Sequence, residues 1–119
     1  MRIRALLTAA LLTALPFSGA LAKDAALAKA VASEQRSPNM VARDNYRHPQ
    51  EVLEFAGIKP SMTVVEISPG GGYWTEILGP YLKDKGTYYT AVSARAMETW
   101  NKKLADNKAA WGDVKVTEF

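Results

Sequence analysis

The stretch VVEISPGGG at residues 64–72 decides the fold of this chain. It overlaps a short apolar run over residues 62–67 that is rich in β-branched side chains. Such a run predicts a strand buried on both faces, as in a parallel sheet. The Pro and Gly residues within 68–72 then predict a tight loop. Apolar side chains recur at helical spacing over residues 73–82, so the whole stretch predicts the first half of a βαβ unit.

The same alternation continues towards the C-terminus. Residues 87–92 predict a second strand, rich in Tyr, Thr and Val, and residues 114–119 alternate as the start of a third. Between them we expect a helix over residues 94–110 with Ser93 as its N-cap. Pro80 predicts a kink or a break in the preceding helix. Crossovers of this length join parallel strands, so the sequence predicts an α/β fold with a parallel sheet and flanking helices.

The residues before this unit predict a simpler lead-in over residues 23–47. Residues 24–32 are rich in Ala and predict a weak helix. Residues 33–47 are polar, contain a proline and show no periodicity, so they predict an extended segment that is not packed. A short helix then starts at Pro49, which suits the first helical position, and ends at Gly57.

The N-terminus has the three parts of a secretory signal peptide. Arg2 and Arg4 give a basic start, residues 5–15 form an apolar centre, and residues 20–22 give a small-x-small cleavage pattern. We therefore predict a signal peptide over residues 1–22 and an exported protein, periplasmic or secreted. The apolar centre is shorter than the roughly 20 residues that span a bilayer, so no transmembrane span is expected after cleavage. An uncleaved, membrane-anchoring helix is the alternative.

Composition excludes several classes of protein. The chain has 119 residues, 48% of them hydrophobic, and no cysteine, which excludes a disulfide framework and a thiolate metal site. A single histidine excludes a site built from several histidines, and no metal is expected. The formal charge of +3 falls to +1 when Arg2 and Arg4 leave with the signal peptide. No basic run indicates a nucleic-acid footprint, so the expected ligand is a small-molecule cofactor.

The candidate ligand site is the loop after the first strand. Ligands of parallel α/β sheets bind at the carboxyl ends of the strands, where a carboxylate can accept from a ligand amine or hydroxyl. Glycines let the backbone approach a ligand closely, although they also suit a plain tight turn. Unpaired N–H groups of the next helix can receive a carboxylate or a phosphate. The candidate cofactor-binding residues are Glu66, Ser68, Gly70, Gly71 and Gly72.

Other conspicuous residues have a plain structural interpretation. Arg47 could fold over a bound cofactor, but surface contacts are the stronger expectation. His48 precedes a proline, and a role in starting the next helix is the stronger expectation for it. The three tryptophans fall at helical spacing and are expected in the core: Trp74, Trp100 and Trp111.

Three classes of ligand suit a glycine-rich loop in this position. A P-loop is excluded because no Gly-Lys-Ser/Thr follows the glycines. A dinucleotide fingerprint, G-x-G-x-x-G, is met by Gly70 and Gly72, but Thr75 replaces its third glycine. The third class is S-adenosylmethionine (SAM), and the loop resembles that of class I methyltransferases, with an acidic residue before G-x-G-x-G. Glu66, Gly70 and Gly72 match this pattern, and Ser68 replaces its first glycine.

The resemblance becomes specific over residues 43–89. Its motifs are Arg47-His48-Pro49, Gly57-Ile58-Lys59-Pro60, Val64-Val65-Glu66, Pro69-Gly70-Gly71-Gly72 and Tyr73-Trp74-Thr75-Glu76-Ile77-Leu78. This run is similar to a family of predicted bacterial class I SAM-dependent methyltransferases, whose members often carry signal peptides. The resemblance implies a Rossmann-like fold, SAM as the cofactor, and residues 48–119 as the N-terminal half of a methyltransferase domain. It also implies that Glu66, Gly70 and Gly72 line the methionine end of SAM.

Two features depart from that family. Val92 and Ser93 stand where class I methyltransferases carry an acidic residue for the ribose, and Glu98 is the nearest acid downstream. The chain also supplies fewer strands than the class I fold, so we expect a fold truncated after the third strand, with no identifiable catalytic residue. The expected function is SAM-dependent methyl transfer to an unidentified acceptor. A nucleotide-binding oxidoreductase fragment and a non-catalytic, exported α/β domain that binds a partner stay open as alternatives.

Overall fold

Helices and strands alternate along the chain from the lead-in onwards. A computed structural model describes residues 22–119, so the predicted signal peptide over residues 1–22 lies outside the described residues except for Ala22. The helices are α1 Ala25–Val31, α2 Pro38–Val41, α3 Asp44–Arg47, α4 Pro49–Phe55, α5 Thr75–Leu82, α6 Met97–Asp106 and α7 Lys108–Trp111. The strands are β1 Thr63–Ile67, β2 Thr87–Val92 and β3 Lys115–Glu118, and a short 3-10 helix covers Ala94–Ala96.

The three strands form one parallel sheet in the order β1-β2-β3. In this register Val65 pairs with Tyr89, and Tyr89 pairs with Lys115. Helix α5 connects β1 to β2, and helices α6 and α7 connect β2 to β3, as parallel pairing requires. The predicted α/β fold, a Rossmann-like parallel sheet with flanking helices, is confirmed.

One face of the sheet carries the hydrophobic core. Residues that pair across parallel strands point to the same face, and alternate residues point to opposite faces. The even-numbered side chains Tyr88, Thr90 and Val92 of β2 are all buried. Tyr88 belongs to a cluster with side chains of α1 and α5, and Val92 packs with Trp100 and Trp111. The expectation that these two tryptophans lie in the core is confirmed.

The opposite face, formed by the odd-numbered residues, is open within residues 22–119. The apolar side chains of Val65 and Ile67 on this face are 54% and 68% exposed. The prediction that β1 is buried on both faces is therefore wrong. Both crossovers run in the same direction along the sheet, and right-handed crossovers in one direction place all their helices on one face.

The lead-in is folded where the sequence predicted an extended segment. Pro38 begins α2, a position that proline suits, instead of ending structure. The buried Arg36 side chain donates two hydrogen bonds to the Asp44 carboxylate, at 2.8 and 2.9 Å. The backbone N–H and hydroxyl of Ser37 both donate to the carboxylate of Glu76 in α5. These partners fix the segment against the βαβ unit, and the prediction of an unpacked segment is wrong.

The break considered at Pro80 is absent, and the helix after β2 differs in detail from its prediction. Helix α5 continues through Pro80 without a break, packed so closely on α7 that a side chain at Gly79 would lie 2.8 Å from the Trp111 carbonyl oxygen. Ser93 is the N-cap of the 3-10 helix that precedes α6, as its position predicted, but its side chain makes no capping hydrogen bond. The single helix expected up to residue 110 is divided at Asn107, which separates α6 from α7.

Candidate functional site

The loop after β1 folds back on itself through backbone conformations that favour glycine. Ser68, Gly70 and Gly72 have positive φ angles of 56°, 57° and 95°. The Ser68 N–H donates to the Ala91 carbonyl oxygen at 2.9 Å, which ties the start of the loop to β2. Ser68 thus has a left-handed backbone conformation that glycine adopts freely and that serine adopts at a cost.

The three glycines of the loop have different surroundings. A side chain at Gly71 would lie 2.7 Å from the Met40 side chain, and one at Gly72 would touch Trp100. A side chain at Gly70 would meet no atom within 4 Å. Gly71 therefore leaves room for the end of the Met40 side chain, Gly72 is favoured by its φ angle, and Gly70 leaves its backbone open to a ligand.

Lys103 of α6 also holds the loop. Its ammonium group donates to the Gly71 carbonyl oxygen at 2.6 Å and lies 5.4 Å from the centre of a Trp100 ring. Sequence reasoning missed Lys103, because it follows the loop by more than thirty residues and matches no motif.

Glu66 is held in place at the carboxyl end of β1. Its Oε2 atom accepts hydrogen bonds from the Tyr88 hydroxyl and, at 3.1 Å, from the Thr75 hydroxyl. Burial raises the pKa of the Glu66 carboxyl, while these two hydrogen bonds and the positive charge of Arg47 oppose that rise. A half-buried, oriented carboxylate of this kind can bind an amine or a hydroxyl.

A cavity of about 490 Å³ opens between this loop and the lead-in, within the size range of small-molecule sites. Four of the five predicted site residues line it: Glu66, Ser68, Gly70 and Gly71. The fifth, Gly72, is buried beneath the loop. Two further cavities of 490 and 540 Å³ lie beside α1 and between α1 and α2, away from the carboxyl ends of the strands. Volume therefore does not distinguish the loop cavity, whereas its position and chemistry do.

The opposite wall of the cavity comes from the lead-in. Arg43 and Arg47 line it together with Tyr73 and Trp74. Trp74 is half-buried, packs against the core cluster and meets the Tyr73 ring edge-on at 4.8 Å between centres, so the expectation of a core position holds in part for this tryptophan. Arg47 lies in the cavity, although surface contacts were the stronger expectation from sequence. The i,i+4 spacing of the two arginines was the available signal, because it places both on one side of a helix.

Tyr73, which lines the cavity, lies at the centre of a cluster of charged side chains. The guanidinium carbons of Arg36, Arg43 and Arg47 lie 5.5, 5.4 and 4.6 Å from the centre of its ring. Its hydroxyl donates to Asp44 at 2.7 Å, and burial together with this carboxylate raises the pKa of Tyr73 to about 12. The tyrosine therefore stays neutral and anchors the lead-in to the loop.

The end of β2 contributes no acidic group to the cavity. Val92 is buried, and Ser93 is half-buried. Glu98 is exposed and lines a different depression on α6, beside Lys102. None of these residues lines the loop cavity. His48, between α3 and α4, adopts a left-handed conformation with φ of 44° and immediately precedes Pro49, in keeping with a role at the start of that helix.

Neither a metal-binding cluster nor a membrane-spanning helix occurs within residues 22–119. No group of three or more His, Asp or Glu side chains is arranged to hold a metal ion there. Within the same residues, every helix is too short or too polar to cross a membrane.

Comparison with protein-family models, with curated proteins and with solved structures gives no match for this chain.

Proposed function

We propose that the chain binds SAM in the loop cavity and forms the cofactor-binding half of an exported methyltransferase. The observation that carries this proposal is that Glu66, oriented by Tyr88 and Thr75, lines the same cavity as the open backbone of Gly70. A carboxylate beside a glycine-rich loop at a strand's carboxyl end suits a ligand that carries both an amine and a polar group. SAM meets this requirement through its amino-acid end.

The residues that line the cavity have different roles in binding the ligand. Glu66 accepts from the ligand ammonium group, and the loop backbone at Ser68 and Gly70 approaches the ligand without steric hindrance. When bound, SAM supplies an electrophilic methyl group on a positively charged sulfur. Catalysis of methyl transfer depends mainly on alignment with the acceptor and on exclusion of water, so the cavity's contribution is to hold the cofactor rigidly.

A dinucleotide fits the cavity less well than SAM. Thr75, where a dinucleotide loop has its third glycine, is fully buried, and its hydroxyl donates to Glu66. That carboxylate, at the cavity wall, would repel a pyrophosphate placed at the loop. The proposal therefore favours a ligand that is positively charged where it meets Glu66.

The open sheet face supports a second candidate function, binding of a protein partner without catalysis. Val65 and Ile67 form an exposed apolar pair on this face, and β1 is an edge strand of the sheet within residues 22–119. Exposed apolar patches and strand edges are common features of interaction surfaces. Ile67 also lines the loop cavity, whereas the Glu66 side chain lies on the other face of β1, so a substitution of Glu66 distinguishes the two candidates.

Isothermal titration of the full chain with SAM tests the proposal. We expect binding tighter than about 1 mM for the wild type, weakened at least about tenfold by Glu66→Gln. Gln can still accept from Tyr88 and Thr75, so this variant should remain folded by circular dichroism. Glu98→Gln, which removes an exposed carboxylate outside the cavity, is the matched control and should bind like the wild type.

The other outcomes of this titration are equally informative. A folded wild type that binds no SAM contradicts the proposal and leaves the partner-binding candidate. Competition by NAD at similar concentrations would favour the nucleotide-binding oxidoreductase alternative. Equal affinities of the wild type and Glu66→Gln would show that SAM binds somewhere other than the loop cavity.

A further inference from the structure

We propose that Arg47 recognises the α-carboxylate of the ligand, so that the cavity is a receptor for the zwitterionic amino-acid end of SAM. This inference rests on the proposed function and gives Arg47 a specific role in it. Arg47 lies in the lead-in, outside the glycine loop, and lines the same cavity as Glu66.

Arg47 is a cation without an anionic partner among residues 22–119. The ion pairs there join Arg36 to Asp44, Lys102 to Asp106 and Lys108 to Asp113, and none includes Arg47. Its Nε atom is buried and makes no hydrogen bond. A guanidinium group that is partly removed from water without a partner is unfavourable, and an anion in the cavity would supply that partner.

The neighbouring arginines are already engaged. Arg36 is buried and bonded in a bidentate manner to Asp44. Arg43 lines the cavity too, but its Nε donates to the Tyr46 hydroxyl at 3.1 Å. This leaves Arg47 as the guanidinium with the most unused donors at the cavity. The guanidinium carbon of Arg47 lies 4.6 Å from the centre of the Tyr73 ring, and this contact restricts the motion of the group.

The charges of the two walls match a zwitterion. Arg47 is close enough to Glu66 to lower the pKa of that carboxyl, yet the two side chains form no ion pair with each other. A group that fits between them therefore meets a carboxylate on one side and a guanidinium on the other. An α-amino acid presents an ammonium and a carboxylate in that order, whereas a phosphate would be attracted by only one wall.

The position of Arg47 depends on the rest of the lead-in. Asp44 begins α3, and its carboxylate accepts from both Arg36 and the Tyr73 hydroxyl. Arg47 ends the same helix, one turn later. Asp44 is thus a positioning residue, and it fixes the helix that presents Arg47 to the cavity.

A comparison of SAM with decarboxylated SAM tests this assignment on the full chain. By titration calorimetry, we expect the wild type to bind SAM about 10- to 100-fold more tightly than the decarboxylated analogue. Arg47→Gln should abolish most of that preference by weakening SAM alone, and Arg47→Lys should retain part of it. Lys29→Gln removes an exposed positive charge on α1, outside the loop cavity, and should leave both affinities unchanged.

The results distinguish the binding of SAM by the cavity from the role of Arg47 in that binding. Equal wild-type affinities for SAM and the decarboxylated analogue overturn the role of Arg47 and leave SAM binding intact. Equal weakening of both ligands by Arg47→Gln also overturns it, because a merely structural role would act on both. If neither ligand binds to the folded wild type, the proposed function itself fails and the assignment of Arg47 fails with it.

Discussion

At the scale of single residues, the backbone conformation of Ser68 is more informative about the loop than its side chain is. The resemblance aligned this serine with the first glycine of a G-x-G-x-G loop, and the structure gives it a φ of 56°, in the left-handed region. The position therefore has a conformation that favours glycine, although its residue is serine. Side-chain chemistry alone would have assigned Ser68 to an ordinary turn, because serine is frequent in turns of every kind.

Ser68→Gly should stabilise the chain by about 0.5–1 kcal/mol, because glycine adopts the left-handed conformation without the steric cost that serine meets. Urea denaturation followed by circular dichroism measures this change. Ser93→Gly is the matched control, since Ser93 is extended and should gain nothing from glycine. A Ser68→Gly variant that is less stable than the wild type would contradict the argument.

Glu66 predicts a pH dependence of stability with a definite sign. Because burial raises its pKa above the ordinary value of 4.5, the folded state holds this proton more tightly than the unfolded state. Its contribution to the free energy of unfolding is therefore present below pH 4.5 and declines as pH rises through the raised pKa. Urea denaturation from pH 4 upwards should show the wild type losing stability relative to Glu66→Gln as pH rises, and a constant difference would contradict this.

At the scale of elements, the sequence was informative wherever the signal was local. The second strand was predicted over residues 87–92 and is Thr87–Val92, and the helix predicted to begin at Pro49 is α4. These elements are set by propensity, periodicity and caps within a few residues. The loop residues of the candidate site were found in the same way, from a motif that is contiguous in the chain.

The lead-in could not be predicted in that way, because its structure depends on partners elsewhere. Ser37 bonds to Glu76, which lies 39 residues away, and Asp44 to Tyr73, 29 residues away. Helices α2 and α3 have only four residues each, too few to be stable without such contacts. Surface contacts were the stronger expectation for Arg47 for this reason, since periodicity and motifs do not report tertiary partners.

Asp44→Asn should therefore have a larger effect than an exposed substitution of the same kind. It removes a carboxylate from the buried Arg36 guanidinium, and we expect a loss of about 3 kcal/mol in the free energy of unfolding. Asp106→Asn breaks an exposed pair with Lys102 and should change stability by less than about 0.5 kcal/mol. Equal effects of the two substitutions in urea denaturation would show that the lead-in pair is not a structural anchor.

At the scale of the whole molecule, the arrangement of the layers leaves apolar surface in water. Helices cover one face of the sheet, and within residues 22–119 the other face exposes Val65 and Ile67. The strand order follows the order of the chain, so β1 stays at an edge while β2 lies in the middle. Open edges and apolar faces favour association between chains.

Ile67→Lys should reduce self-association of the chain, which we expect in sedimentation velocity as a mean mass that rises with concentration. The lysine places a charge on the exposed face, where an apolar contact between copies would form. Phe55→Lys is the control, because Phe55 is 95% exposed on α4, away from the sheet. Association that persists in Ile67→Lys, or a wild type that stays monomeric at all concentrations, would contradict this prediction.

The division of the cavity between two segments distant in the chain has a consequence for its dynamics. One wall belongs to α3 and the other to the loop after β1, so the cavity exists only while α3 is docked. Detachment of α3 would remove this wall of the site without breaking any strand pairing, and the measured affinity is then the intrinsic one multiplied by the docked fraction. A ligand that contacts both Arg47 and Glu66 stabilises the docked state. Its addition should slow hydrogen exchange of the α2 and α3 amides more than that of the β2 amides.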